Sequence, residues 1–400
     1  MSFEDLVTAI QNNDEEQSKK IINELGSKIK TLKDKVRIEL TDLMKANIMP
    51  KITPLHWAAK QGLPSIVELL ISKGCNPSAK DLNDNVPLHY AFDETAHEDN
   101  FRHLISKKVS IMAKNNAGYT PLHYALTTRT KLSIVKELIA LKGVNVNVEN
   151  GDRMNLLLTA LMNKCSHEVI QLLIENGANV KSKDIHQTTC LHLAAETNAN
   201  LETVKLLISK GSNVSSVNEW NLEPLSLALE KKSLDLVQIF LENGADVNNK
   251  SYDENTPLHY ACLAKVPPNV IASLIELGAD VTAVDAFLNT PLHTACQKNN
   301  PIETVKMLIE AGSDVNQENK VMDTPLHCCC RFNSSIEIVK LLLENDAEVN
   351  ATASWDKTPL HLCYEYNANP KIIELLIEKG ADEEALDIND KKPIDFQQKN

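Results

Sequence analysis

A Thr-Pro-Leu-His tetrapeptide, or a near variant of it, returns along this 400-residue chain at an almost constant interval. Its histidine falls at His56, His89, His123, His192, His259, His293, His327 and His361. Two further registers keep the frame without the histidine, at Leu157 in MNLLLTA and Ser226 in EPLSLAL, and a last one stands at Asp395 in KKPIDF. Successive gaps are 33, 34, 34, 35, 34, 33, 34, 34, 34 and 34 residues. A beat held over 339 residues excludes a string of unrelated domains, although length alone suggests two or three.

Each period reads as a supersecondary unit. Threonine caps the free amides of a first helical turn and proline is tolerated at its first position. A short helix follows, with small residues such as Ala58, Ala59, Ala194 and Ala195. After a polar turn such as Asn299-Asn300-Pro301, a second helix carries apolar residues at offsets 0, 3, 6 and 7. Leu201, Val204, Leu207 and Ile208 show this one-faced pattern, as do Ile336, Val339, Leu342 and Leu343. Glycine ends that helix at Gly74, Gly211, Gly278, Gly312 and Gly380, because only glycine enters the left-handed region without strain.

The TPLHxA unit at this period resembles the ankyrin repeat family. That resemblance implies an all-α fold, a solenoid of stacked helix-turn-helix units with β-turn fingers, over residues 51–400 with about ten repeats and a truncated last unit. Stacked helices spaced roughly 8–10 Å apart would make it a curved rod on the order of 100 Å long. Lys108 and Asp346 replace the helix-ending glycine and the Leu157 and Ser226 units lack the histidine, so looser stacking is expected at these places. Residues 1–50 read as a helical capping segment: a degenerate helix pair with Ala9 in the first-alanine position, then an amphipathic helix over SKIKTLKDKVRIELTDLMKAN. Such a cap covers a terminal apolar face that a solenoid would otherwise expose.

Composition narrows the partners. The net charge of −13 repels phosphate backbones and anionic lipid, so neither nucleic acid nor membrane insertion is expected. The longest apolar run is far too short to span a bilayer, the acidic N-terminus is no secretory signal, and nine cysteines without such a signal suit a reducing compartment. An intracellular, cytoplasmic or nuclear monomer is expected.

Reactive residues are plentiful but do not form sites. Histidines a whole repeat apart cannot share a zinc ion, so each imidazole is expected to bond to backbone near the repeat junction. His327-Cys328-Cys329-Cys330 points in successive directions about 100° apart around a helix. Cys262, Cys296, Cys329, Cys330 and Cys363 replace the small alanines, as buried hydrophobes. Equivalent cysteines one repeat apart are too distant for a disulfide. No nucleophile elbow, phosphate loop or dinucleotide fingerprint occurs. No catalytic residue, cofactor or metal is therefore assigned, and the chain is read as a non-enzyme.

Binding is expected where stacks of this kind usually meet partners, on the β-turn tips five to eight residues before each marker and on the exposed face of the first helix. The tips carry Ile185, Trp220, Tyr252, Phe287, Val321, Met322 and Trp355. Exposed aromatics are costly for solubility and enriched in interface hot spots. Acidic residues, among them Glu219, Asp253, Glu254, Asp285 and Asp356, flank them. Trp57, Tyr90, Tyr124 and Tyr260 follow the marker on the first helix and more often pad its junction with the turn. Asn248, Asn316 and Asn350 resemble the family's hydroxylatable asparagine, a residue that more often simply fixes a turn. The resulting reading is a scaffold or adaptor for one or more proteins. An inhibitor or chaperone that occludes a partner's site, and an effector or ubiquitin-ligase-type substrate adaptor, are the alternatives.

Overall fold

Helix pairs begin at the first described residue. The computed structural model of the protein describes residues 3–26, 28–29, 52–92, 98–106, 109–128 and 131–397. Among them are 22 α-helices and no strand, with one isolated β-bridge between Lys183 and Thr189. The chain divides into two compact units, Met1–Ser212 and Asn213–Asn400.

In the first unit, like helices pack on like. Phe3–Gln11 lies on Pro54–Lys60, which lies on Pro87–Tyr90, and Glu15–Leu25 lies on Pro64–Ser72, which lies on Glu98–Ser106. The series ends with Leu156–Met162 on Cys190–Thr197 and His167–Glu175 on Leu201–Ser209. The degenerate pair of the N-terminus is thus a real helix pair seated on the first full repeat, with Ala9 buried. Apart from residues 28–29, the amphipathic helix read over residues 27–47 lies outside the described residues, as does Lys108.

The second unit repeats the arrangement. Its first helices run Pro224–Glu230, Pro257–Ala264, Pro291–Gln297, Pro325–Arg331 and Pro359–Glu365, each on the next, and the 3₁₀ turn Pro393–Phe396 closes on the last. Behind them Pro268–Glu276, Ile302–Glu310, Ile336–Glu344 and Pro370–Glu378 pack in series. Burial follows offsets 3 and 6 as expected, with Val204, Leu207, Val339 and Leu342 fully inside. Offset 0 is different. Ile302 and Leu234 are more than a third exposed, and the buried partner is instead offset 2, where Thr203, Leu236, Thr304 and Ile338 sit. The helix opens on the offset-0 residue and turns its buried face two residues later.

The marker histidines weld one repeat to the next. Nδ1 of His56 accepts from the Thr53 amide at 3.2 Å and from the Thr53 hydroxyl at 2.8 Å. Because Nδ1 is the acceptor, the proton is on Nε2, which donates to the carbonyl of Asn85 in the following turn at 3.0 Å. The same link joins His89 to Tyr119, His123 to Met154, His259 to Asn289, His293 to Asp323, His327 to Lys357 and His361 to Lys391. Histidine therefore does the work that glutamate does in an ordinary capping box, and adds an inter-repeat bond. The expected backbone role is what the structure shows.

The two registers without histidine solve the problem differently. In the first, the helix-capping residue is Asn155, whose Oδ1 accepts from the Leu158 amide at 2.9 Å. The position equivalent to histidine is therefore Leu158, not Leu157. Asn155 also donates through Nδ2 to Ser182 Oγ at 2.9 Å, which restores a cross-repeat bond. In the second, Glu223 stands where threonine caps elsewhere, and the Ser226 hydroxyl is buried without a partner. Looser stacking is not what replaces the missing glycine at Asp346. That residue takes the same left-handed conformation (φ 64°), and its carbonyl accepts from Asn316 Nδ2 at 2.9 Å.

Candidate functional site

The fingers are built from one recurrent residue, eight before the marker. Asp81 Oδ1 accepts from the amides of Asn83 and Asn85, both at 2.8 Å, and closes the tip. Asn115, Asn150, Asp184, Asn218, Asp285, Asn319 and Asp387 do the same two and four residues on. This is the side-chain turn that Asp and Asn form with their own backbone. Reading outward from the histidines missed it, although the residue type at that spacing was in the sequence. It also confirms the Leu158 register, since Asn150 lies eight before Leu158.

Backbone bonds tie finger to finger. The amide seven before each marker donates to the carbonyl six before the preceding one. In the first unit Asn116 donates to Asn83, Gly151 to Ala117 and Ile185 to Asp152, at 2.8–3.0 Å. In the second, Tyr252 donates to Trp220, Ala286 to Asp253, Lys320 to Phe287, Ser354 to Val321 and Ile388 to Trp355, at 2.8–3.1 Å. The approach is close: a Cβ on Gly118 (φ 77°) would meet the Gly151 nitrogen at 2.7 Å.

With the ladder made by backbone, the tip side chains are left outside. Exposure is 48% at Trp220, 74% at Tyr252, 65% at Phe287, 48% at Val321, 44% at Met322 and 66% at Trp355. All six lie in the second unit. Ile185, the remaining tip residue of the sequence reading, is 46% exposed on a finger of the first unit. Two further apolar residues stand on the second-unit ridge. Leu288 follows Phe287 at a tip with φ 60°, and Ile388 extends the row onto the last finger. Met322 also holds φ 60°. Apolar residues in the left-handed region cost about 1–2 kcal/mol each, where glycine or asparagine would cost little.

Two fingers lack the Asp or Asn: in one, Ser251 Oγ accepts from the Asn255 amide at 3.2 Å. At residues 353–357 the turn-forming Asp or Asn is Ala353, so no carboxylate gathers the two amides. The tip winds instead into a short 3₁₀ turn, Ser354–Asp356, with Trp355 at φ 71° and Asp356 at φ 55°.

The exposed apolar surface is lopsided. Among the described residues, three large hydrophobic side chains are exposed in the first unit and sixteen in the second. Charge is lopsided too. Residues 1–212 carry 26 basic and 24 acidic side chains, whereas residues 213–400 carry 15 basic and 30 acidic. The whole deficit of −13 therefore belongs to the second unit, a fact hidden in the chain totals.

The other sequence-predicted residues are structural. Tyr90 donates to Asp81 Oδ2 at 2.7 Å and stands edge-on to His56, and Tyr124 stands edge-on to His89. Each of Asn248, Asn316 and Asn350 donates through Nδ2 to a carbonyl of the next repeat and accepts from an amide there, at 2.8–2.9 Å. The nine cysteines are free; seven are buried, and Cys75 and Cys165 are half-buried. Two diagonal pairs meet: Cys296 touches Cys329 and Cys330 touches Cys363. That contact, with burial, holds the Cys296 and Cys330 thiols well above the ordinary range. Burial pushes Cys190 and Cys262 up to about 12, so neither is a ready nucleophile. Among the described residues no group of three His, Cys, Asp or Glu converges as a metal site, and no helix is long and apolar enough to cross a membrane. A cleft of about 390 Å³ in the first unit includes Cys165 and His167. The thiol donates to the Leu126 carbonyl at 3.3 Å and the imidazole Nδ1 pairs with Thr203 Oγ1 at 3.0 Å.

A family model described as ankyrin repeats (3 copies) matches residues 6–115, 55–149, 88–184, 122–218, 191–285, 225–319 and 292–387. A comparison with curated proteins finds no match.

Proposed function

Because the chain belongs to the ankyrin repeat family, whose repeats are generally protein–protein interaction modules, we propose that it is a non-enzymatic scaffold or adaptor. Its partner is held on the fingertips of residues 213–397. The supporting observation is the ridge of Trp220, Tyr252, Phe287, Val321, Met322 and Trp355. These side chains are 44–74% exposed, and a ladder of backbone bonds joins their fingers. Side chains exposed to this degree leave apolar surface for a partner to cover. A preformed surface of this kind loses little conformational freedom on association.

The test is affinity capture of protein partners by the full chain, compared with a Trp220→Ala/Phe287→Ala/Trp355→Ala chain shown by circular dichroism to be folded. Loss of the captured protein supports the reading; an unchanged set of partners refutes it. A competition assay on the captured protein then distinguishes roles. Blocked partner activity marks an inhibitor, and simultaneous binding of a third protein marks a scaffold.

A further inference from the structure

The ridge has a defined spacing and a defined charge, and the two together select a partner chemistry. Consecutive fingers are joined by N–H···O bonds of 2.8–3.1 Å and stand on first helices that pack side by side. Their tips therefore advance by one helix–helix distance per repeat, roughly 10 Å. Around the apolar row the exposed acidic side chains Asp253, Glu318, Asp356 and Asp390 outnumber the exposed lysines Lys320 and Lys391. Lys250 is drawn off into an ion pair with Glu254 at 3.2 Å.

We propose that this ridge binds a basic amphipathic helix, a lysine- or arginine-rich segment that presents one large apolar side chain every seven residues. Seven residues of α-helix rise about 10.5 Å and return to nearly the same face. One apolar side chain would then meet each finger in turn. An extended strand covers a similar distance in three residues, but its side chains alternate faces, so only every second finger would be served. The formal charge of −15 on residues 213–400 attracts the cationic flank of the helix. An acidic or neutral partner would meet the same apolar anchors against that field. The inference rests on the interaction reading above and names the partner's chemistry within it.

The probe is a synthetic peptide of about 28 residues, four heptads, with leucine every seventh position and lysine on the flanks. A glutamate counterpart and a lysine peptide of the same composition with scattered leucines serve as controls. Two of the three tryptophans, Trp220 and Trp355, are on the ridge, so a full-length Trp57→Phe chain reports binding there through its own fluorescence. The expected result is a blue shift with the heptad lysine peptide. Its affinity is expected to fall at least about tenfold as ionic strength rises from ~0.05 to ~0.3 M. A similar loss is expected from Phe287→Ala/Trp355→Ala. The variant Asp253→Lys/Glu254→Lys/Asp356→Lys, which leaves every apolar anchor in place, should weaken the peptide by a comparable factor. Equal binding of the glutamate peptide or of the scattered-leucine peptide would overturn the inference, as would full affinity in the Phe287→Ala/Trp355→Ala chain. Each of those results leaves the capture experiment to judge the interaction reading separately.

Discussion

Mild acid should loosen this protein through its own repeat signature. The marker imidazoles are buried, and each uses Nδ1 as an acceptor, so the neutral form is built into the fold. Burial pushes His123 and His327 down to about 4 and holds His56, His89, His259 and His293 below the ordinary imidazole range. In the unfolded chain the same groups titrate near 6.5. A depressed histidine contributes stability that is fully present above pH 6.5 and is lost as pH falls toward 4. At pH 5 a group moved from 6.5 to about 4 has given up about 2 kcal/mol, so His123 and His327 together withdraw about 4 kcal/mol. The assay is thermal and urea unfolding by circular dichroism at pH 7.5, 6.5, 5.5 and 5.0. A His123→Gln/His327→Gln chain should start less stable and lose less on acidification. A wild-type chain whose stability is flat or rises between pH 6.5 and 5 would refute the reasoning.

Other perturbations follow from single contacts. Burial raises Glu223 to about 7, so its carboxylate opposes folding as pH rises above 4.5; Glu223→Gln should stabilise the chain by about 2 kcal/mol at pH 8, with the gain fading near pH 5. Ala353→Asp should restore the two amide bonds of the odd finger and raise stability by about 1 kcal/mol in chemical unfolding. Asn316→Ala removes a paired bridge between repeats and should cost about 1–2 kcal/mol in the same assay, with far-UV dichroism unchanged.

Much of this architecture was legible because the repeat is written in residues that have one local use each. Thr-Pro starts the first helix, and the glycines at 74, 211, 278, 312 and 380 take φ values of 88–102° where the second helix ends. The tips bearing Trp220, Phe287 and Trp355 were located by counting from the histidines, and their exposure is what the count implied. Other features were not readable that way. In MNLLLTA three leucines in a row carry no register, and the Asn155 cap and the Asn150 turn show that Leu158 takes the histidine's place. The turn-forming Asp or Asn is visible only once its side chain is seen gathering two amides. Whether a second helix buries offset 0 or offset 2 depends on its tilt against the neighbouring repeat, which no single-helix periodicity records. The acidity of residues 213–400 was available in the sequence but vanished into a total shared with a nearly neutral first half.

The most direct test of the account is hydroxyl-radical footprinting of the full chain, free and saturated with a captured protein partner. The account predicts protection concentrated at Trp220, Tyr252, Phe287, Met322 and Trp355. Unchanged labelling at those five positions, with protection confined to the outer helices such as Ile302–Glu310 and Ile336–Glu344, would contradict it.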